Sequence, residues 1–345
     1  MTAPLHSSSP VATGTDIDFS IIIATRNRGP LLKRALRSVV NQTGVRHEVV
    51  VVDDGSSTEH ATHVSRAVGD AGKLARLVVL PARPAGHGPS FARNSGVAVC
   101  RGTFIGFLDD DDEWTDDGHL ARCLASAATT GSPVEVIFGD QRAVRPDGSE
   151  HTGRMWLRGL EQRLNGTVNS LGALEADIDA LLAVGGICHL NTLIMRRSLF
   201  DAIGGFDERL RYEEDRDLFL RAIDAAGRML YQPSQIGTHF IPDPDKALSL
   251  TSTISDRNKC LAQLLLYERA QLDSRHRACR TYARRSKGRV LKHLCLQLSQ
   301  AGRHRDAHAY RLQALSADFS FKWLLYTLFC TARLPLDLAF HVRDL

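Results

Sequence analysis

The chain has 345 residues, with 43 Lys+Arg against 39 Asp+Glu and a formal net charge of +4. Its 43% hydrophobic and 24% charged content is that of an ordinary globular protein, large enough for one big α/β domain or a domain with an appendage. The charge is uneven, because residues 256–315 hold 14 Lys+Arg against 4 Asp+Glu. A basic segment beside an acidic body points to an anionic neighbour, membrane lipid or phosphate.

The seven cysteines (100, 123, 188, 260, 279, 295 and 330) form no C-x-x-C pair, so neither a zinc site nor a disulfide framework is indicated. A reducing cytoplasm is expected. The first residues lack the basic start and apolar h-region of a signal peptide, and no apolar stretch reaches the ~20 residues of a spanning helix.

Residues 1–16 are rich in Ser, Thr, Pro and Gly and are expected to form a mobile tail. Phe19–Ala24 is apolar except for Ser20, the pattern of a buried strand, and ends in Thr25-Arg26-Asn27-Arg28-Gly29. Pro30 suits a first helical turn, and Leu31, Leu32, Ala35, Leu36, Val39 and Val40 recur at helical spacing. Glu48–Val52 reads as a second strand running into Asp53-Asp54-Gly55-Ser56-Ser57. A helix over about 59–68 and a third strand, Ala75–Leu80, follow. Gly86-His87-Gly88-Pro89-Ser90 is a glycine-rich loop, Phe91-Ala92-Arg93-Asn94 opens a helix, and Phe104–Leu108 is a fourth strand. This alternation predicts right-handed βαβ units in a mostly parallel sheet, where ligands bind beyond the carboxyl ends of the strands. Three polar clusters fall there: Thr25–Asn27, Asp53–Ser56 and Asp109–Asp112.

Beyond Trp114 the pattern changes. Leu120–Thr129 reads as helix and Val134–Phe138 as strand, followed by Gly139-Asp140 and a turn at Arg145-Pro146-Asp147-Gly148. Residues 150–185 carry little periodicity apart from a helix around Leu174–Val184. Ile187–Met195 reads as a strand, and Leu199-Phe200-Asp201 starts a short helix ending at Gly204-Gly205. Glu213-Glu214-Asp215 leads a helix with Leu218, Phe219, Ala222 and Ile223 on one face. Residues 255–316 read as basic amphipathic helices. Asp318–Phe340 is apolar and aromatic, interrupted by Lys322, Arg333 and Pro335.

Asp109, Asp110, Asp111 and Asp112, with Glu113 behind them, follow the fourth strand directly. Four like charges repel, and a divalent cation removes the repulsion: Mg²⁺ and Mn²⁺ prefer carboxylate oxygens and keep positions open for phosphate. The alternative is a solvated acidic turn. By the same standard Asp-Asp-Gly-Ser alone is a turn, and Asp215 alone is an acid favoured by a helix dipole.

The ordered series is more specific. Thr-x-Asn follows the first strand, Asp-Asp-Gly-Ser the second, Ala-Arg-Asn opens a later helix, and Phe-Leu-Asp-x-Asp-Asp ends the fourth strand. Gly204-Gly205-Phe206-Asp207-Glu208 and then Glu214-Asp215 extend it, so that the matches run from about Phe19 to Phe240. The series resembles the family-2 glycosyltransferases, inverting nucleotide-sugar enzymes of the GT-A fold. The resemblance implies that Asp54 holds the edge of the uracil ring, with Asp53 structural or facing the ribose. Thr25, Arg26, Asn27, Arg93 and Asp110 fall on the nucleotide side. Asp109 and Asp111 match the Asp-x-Asp pair: Asp111 would touch a divalent Mn²⁺ or Mg²⁺, with Asp109 at the metal or nearer the ribose. Asp112 and Glu113 would support the loop. Asp215 matches the general base, with Glu214 as its orienter. His239 falls where some relatives place a metal ligand or phosphate contact, the alternative being a loop residue. His189 reads as a core histidine or part of the acceptor pocket.

Three departures stand out. Arg26 occupies the place of an aromatic that often stacks on the base, and Asp116-Asp117-Gly118 replaces the usual Leu-Pro. The Gln-x-x-Arg-Trp motif of processive synthases is absent, which favours transfer of a single sugar.

The expected architecture is α/β, a GT-A-type mixed, mostly parallel sheet flanked by helices, with an all-α C-terminal extension. Its expected parts are a tail (1–17), a nucleotide-sugar-binding half (18–115), an acceptor and catalytic-base half (116–254) and a helical extension (255–345). The expected activity is transfer of one sugar from a nucleotide diphosphate sugar, a UDP-sugar by preference, to a saccharide or lipid-linked saccharide acceptor. Bacterial cell-surface polysaccharide or glycolipid synthesis at the cytoplasmic side of the membrane is the expected setting, with no role for nucleic acid. The alternative is an inactive nucleotide- or glycan-binding relative serving as an assembly module. The C-terminal helices either pad the core or, with Trp323–Phe329, contact anionic membrane.

Overall fold

Val49, Val50, Val51 and Val52 are all fully buried, and so are Ile21 and Ile23 on the neighbouring strand. Such runs have no solvent face, so both sides of this sheet must be covered. The computed structural model describes residues 17–341 apart from 130, 154–155, 165, 167, 186 and 244–253, so the expected tail lies outside the described residues.

The strands are β1 (Phe19–Thr25), β2 (His47–Asp53), β3 (Ala75–Val79), β4 (Phe104–Phe107), β5 (Glu113–Trp114), β6 (Val136–Val144), β7 (Leu174–Ala176), β8 (Leu193–Arg196) and β9 (Met229–Phe240). They form one sheet in the order β3-β2-β1-β4-β8-β6-β9-β5, with β7 paired to β9. From β3 to β4 all pairings are parallel, and beyond β4 the sheet is mixed. One layer of helices includes α1 (Gly29–Val40), α2 (Thr58–Asp70) and α4 (His119–Ala127), and its core joins Leu32, Leu36, Val39 and Leu120 to Ile21, Ile23, Val49 and Val51. The alternate residues Ile22, Val50 and Val52 face the other layer, as the two-residue repeat of a strand requires.

That second layer contains α3 (Pro89–Ala98), α5 (Ile178–Ala183), α6 (Arg197–Ala202) and α7 (Glu214–Ala225). Gly96 brings α3 against β1, since a Cβ there would stand 2.6 Å from Ile22 Cγ2. The chain ends in α8 (Asp256–Asp273), α9 (Arg277–Gln300), α10 (His304–Ala317) and α11 (Phe321–His341). Leu266, Tyr267, Cys279 and Tyr282 of α8 and α9 join the same core, so these two helices complete the domain rather than hang from it.

Three elements differ from the sequence reading. The helix expected over Leu174–Val184 starts only at Ile178, capped by Asp177, whose carboxylate accepts from Ala180 N at 2.8 Å; residues 174–176 are strand. The strand expected over Ile187–Met195 opens with a 3-10 turn, Leu190–Thr192, and pairs only from Leu193. Strand β9 gave no signal because Pro233 and Ser234 interrupt its apolar pattern, and its register against β6 shifts there.

Candidate active site

Parallel strands β1, β2 and β4 end on one edge of the sheet, which brings Thr25, Asp53 and Asp109 together. Two further connections complete the edge. Strand β8 runs antiparallel to β4, so the turn before it places His189 and Asn191 beside Asp109. Strand β9 pairs with β5 through Glu113 and Thr238, which sets His239 beside Asp112.

Each member of the acid run has a different partner. Asp110 is 3% exposed, accepts from Thr25 Oγ1 at 2.6 Å and pairs with Arg28 at 3.1 Å. Burial still pushes its carboxyl up to about 7, against the pull of Arg28. Asp112 is fully buried, accepting from Asn191 Nδ2 at 2.6 Å, His239 Nδ1 at 2.9 Å and Phe240 N at 2.8 Å. The Asp109 carboxylate accepts from Arg93 Nη2 at 2.9 Å, and the Asp109 backbone N–H donates to Asn191 Oδ1 at 3.0 Å. Burial works to raise the Asp109 carboxyl, but Arg93, His189 and His239 hold it below its usual value.

Asp111 is the acid expected to touch the metal. Its carboxylate is drawn into an ion pair with Arg28, and its carbonyl accepts from Arg34. The group of donors that does converge is Asp112, His189 and His239, whose ligand atoms lie within 4.8 Å of one another. Asp109 Oδ2 stands 3.9 Å from His189 Nε2. Burial lowers the His189 pKa and favours the neutral, lone-pair-bearing ring. For His239 burial acts the same way, but its hydrogen bond to Asp112 and the nearby acids outweigh it and raise the pKa. This carboxylate–histidine pairing fixes Nδ1 and leaves Nε2 as the ligating atom. Trp156 packs edge-on against both rings, at 5.4 and 5.5 Å between centroids.

On the opposite side stand Glu213, Glu214 and Asp215. Glu213 takes the left-handed conformation (φ 63°), which turns the chain sharply into α7. Glu213 pairs with Arg216 and accepts from Gln263 Nε2 at 2.7 Å, and Glu214 accepts from Arg93 Nη1 at 2.8 Å. Asp215 accepts from the backbone N–H of Arg216 at 2.7 Å and forms no salt bridge among the described residues. Burial first, then the charges of Glu214 and Glu213, push its carboxyl up to about 7. Arg93 therefore spans the cleft, one nitrogen on Asp109 and the other on Glu214. The next residue, Asn94, donates to Phe206 O and Glu208, each at 2.9 Å.

The nucleotide-side residues read from the sequence are largely engaged with one another. Asp53 accepts from Ser56 N at 2.9 Å, and Asn27 is joined to Ser56 and Ser57 at 2.9 and 2.8 Å. Asp54, expected to meet a base, instead accepts from His87 N, His87 Nδ1 and Gly88 N at 2.8–3.0 Å, because the Gly86–Gly88 loop folds over it. Gly86 permits this with φ 62°, since a Cβ there would lie 2.5 Å from Asp54 Oδ2. Arg26 donates to Arg83 O and Pro84 O at 3.1 and 3.0 Å, while its buried Nε has no partner among the described residues. Arg93 likewise binds two acids rather than standing open to a nucleotide. The sequence reading missed Asn191, which organises Asp109 and Asp112, and Arg211, which donates to the carbonyls of Ala85, Gly86 and His87 at 3.1–3.3 Å.

The glycosyl transferase family 2 model matches residues 20–204. The succinoglycan biosynthesis protein ExoO of Rhizobium meliloti (strain 1021) is 29% identical over 231 residues, 66% of this chain and 61% of that protein. A PGL/p-HBAD biosynthesis glycosyltransferase of Mycobacterium bovis (strain BCG / Pasteur 1173P2) is 30% identical over 203 residues, 59% of this chain and 68% of that protein. The chain thus spans about three-fifths of ExoO's length. Among solved structures, S. aureus TarS 1-349 in complex with UDP-GlcNAc has a TM-score of 0.62 at 18% identity, covering 92% of this chain and 88% of that one. The mannosyltransferase PcManGT from Pyrobaculum calidifontis, in complex with GDP-Man and Mn²⁺, has a TM-score of 0.54 at 18% identity, with 97% and 91% covered. The fold is of the GT-A type, a mixed sheet flanked by helices with helices at its C-terminal end. The chain belongs to glycosyl transferase family 2.

Proposed function

We propose that this family member is an inverting, metal-dependent transferase that moves one sugar from a UDP-sugar to an acceptor hydroxyl. One observation carries the reading: among three consecutive acids, Asp215 forms no salt bridge among the described residues, desolvation pushes its carboxyl up to about 7, and its neighbour Glu214 is joined through Arg93 to Asp109. Asp215 is the group on that side best suited to accept a proton near neutral pH.

Asp112, His189 and His239 fit a divalent ion, with Asp112 also orienting His239 and Asp109 Oδ2 standing 3.9 Å from His189 Nε2; the two imidazoles favour Mn²⁺ over Mg²⁺. When bound, such an ion neutralises the donor diphosphate and the charge that develops as it leaves. Arg28 and Arg26 lie on the donor side, where their buried Nε atoms have no partner among the described residues. Asp215 removes the proton from the acceptor hydroxyl as its oxygen attacks the anomeric carbon from the face opposite the diphosphate. One displacement inverts the centre. Glu214, fixed by Arg93, holds the start of α7 and keeps Asp215 short of a counter-charge.

The UDP-GlcNAc and GDP-Man in the titles of the fold neighbours support a nucleotide-sugar donor. The succinoglycan name of ExoO supports a place in cell-surface glycan assembly. All seven cysteines are free, in keeping with a cytoplasmic site. The test is a panel of nucleotide sugars with Mn²⁺, scored for nucleoside diphosphate release and for the anomeric configuration of the product by NMR. A retained anomer overturns inversion. Binding heat with UDP and Mn²⁺ but no diphosphate release from any donor overturns the enzyme in favour of a non-catalytic binding module.

A further inference from the structure

Helix α11 turns an apolar stripe outward. Phe321, Leu325, Leu328 and Phe329 share one helical face and are 76, 66, 58 and 54% exposed, with Phe319 just before the helix at 57%. The other face is occupied by α10. Thr327 is buried, Trp323 Nε1 donates to Arg311 O at 3.1 Å, and the Arg311 guanidinium lies 5.3 Å from the Tyr326 ring. Single exposed leucines are ordinary, but a contiguous stripe of this length marks a surface that something covers.

The rim of the stripe is basic. Lys322 is exposed beside Phe321, and Arg333 sits 4.4 Å from the Phe329 ring. At the other end Gly288 of α9 packs against Asp318, whose carboxylate Lys292 neutralises at 2.7 Å while lying 5.6 Å from the Trp323 ring. Arg285 and Arg289 fall on the same face of α9 as Lys292, two turns and one turn away. Among the described residues Arg285, Lys322 and Arg333 form no salt bridge, and Arg289 spends one donor on Ser286 Oγ at 2.8 Å.

We propose that this face docks on an anionic lipid surface. Helix α11 lies in the headgroup plane, its stripe in the acyl boundary and Arg285, Arg289, Lys322 and Arg333 on lipid phosphates. A second copy is a poorer occupant, because a two-fold interface would set the same basic rim against itself. Docking is peripheral, since no helix among the described residues is long and apolar enough to cross a membrane. The inference does not depend on the transfer reaction.

The test is co-sedimentation of the full chain with vesicles of phosphatidylcholine, alone or mixed with phosphatidylglycerol. The chain is expected to sediment with the mixed vesicles, to stay in solution with phosphatidylcholine alone, and to be released by added salt. Leu325→Asp/Phe329→Asp is expected to weaken binding by about tenfold or more. Arg285→Gln/Arg289→Gln and Lys322→Gln/Arg333→Gln are each expected to weaken it by about fivefold per charge removed. All three pairs are expected to keep the parent's thermal midpoint. The exposed charge pairs carry the test if the apolar pair fails to fold. Absence of binding to the mixed vesicles, or binding that none of the pairs weakens, overturns the proposal. So does a lipid-free dimer that Leu325→Asp/Phe329→Asp converts to monomer.

Discussion

Two runs of consecutive acids face the same cleft, and their surroundings differ. In Asp109–Asp112 the charges meet arginine, histidine or hydrogen-bond donors: Arg93 on Asp109, Arg28 on Asp110 and Asp111, Asn191 and His239 on Asp112. In Glu213–Asp215 the compensation stops one residue short. Glu213 has Arg216 and Glu214 has Arg93, but Asp215 has a backbone N–H. Asp110 and Asp215 are both pushed up to about 7, but Asp110 is held by Arg28 and the Thr25 hydroxyl, whereas Asp215 has a backbone N–H as its hydrogen-bond partner among the described residues. Under the proposed function the first run serves the donor side and the second the acceptor's proton.

The strongest test of that division is Asp215→Asn. It is expected to lower transfer by about 10³-fold or more with the fold intact, measured as product formed per enzyme. Turnover close to that of the parent breaks the comparison. On the other run, Asp112→Ala releases the His239 ring and is expected to weaken Mn²⁺ activation by roughly 10–100-fold, read from a Mn²⁺ titration of the rate.

Arg93→Lys sharpens the link between the runs. A lysine reaches one acid where the guanidinium reaches two, so transfer is expected to fall by about tenfold. Parent kcat/KM is expected to rise with pH as Asp215 loses its proton, with a midpoint near the value of about 7 to which burial and its acidic neighbours push it. Leaving Glu214 less compensated raises that midpoint further in Arg93→Lys. A pH profile that does not move places Arg93 outside this coupling.

The smallest effect is on stability. The Asp215 pKa is higher in the folded than in the unfolded chain, so its contribution is fully present below the unfolded value of about 4 and lost as pH rises through about 7. Asp215→Asn carries no such charge. At pH 8 it is expected to be more stable than the parent by on the order of 1–3 kcal/mol in urea unfolding, with the gap closing by pH 5. A variant less stable than the parent at pH 8 contradicts the uncompensated burial of Asp215.

The parallel half of the sheet was readable because its signals are local. Strand β1 is a run of apolar residues, β2 four valines, and the polar clusters follow within a residue or two of each strand end. Asp215 was singled out by the Glu214-Asp215 match to the family pattern, since an acid at a helix start alone reads as a dipole partner. The choice between Asp111 and Asp112 was not local. It depends on β5 pairing with β9, a strand whose pattern Pro233 obscures, and on Arg28 reaching Asp111 from before α1. Asn191 sits in a 3-10 turn that carries no periodicity, and Arg211 acts on carbonyls more than a hundred positions earlier. Asp54 was recognised as important, but its partner, the loop closing over it, is a tertiary contact that no neighbouring residue announces.

Arg93 and Asn94 are consecutive on α3, and between them they grip Asp109, Glu214, Phe206 and Glu208. Two adjacent side chains on one rigid rod thus serve as a rivet through both walls of the cavity. A shift of Asp109 or of Glu214 therefore loads the other within a single side-chain length.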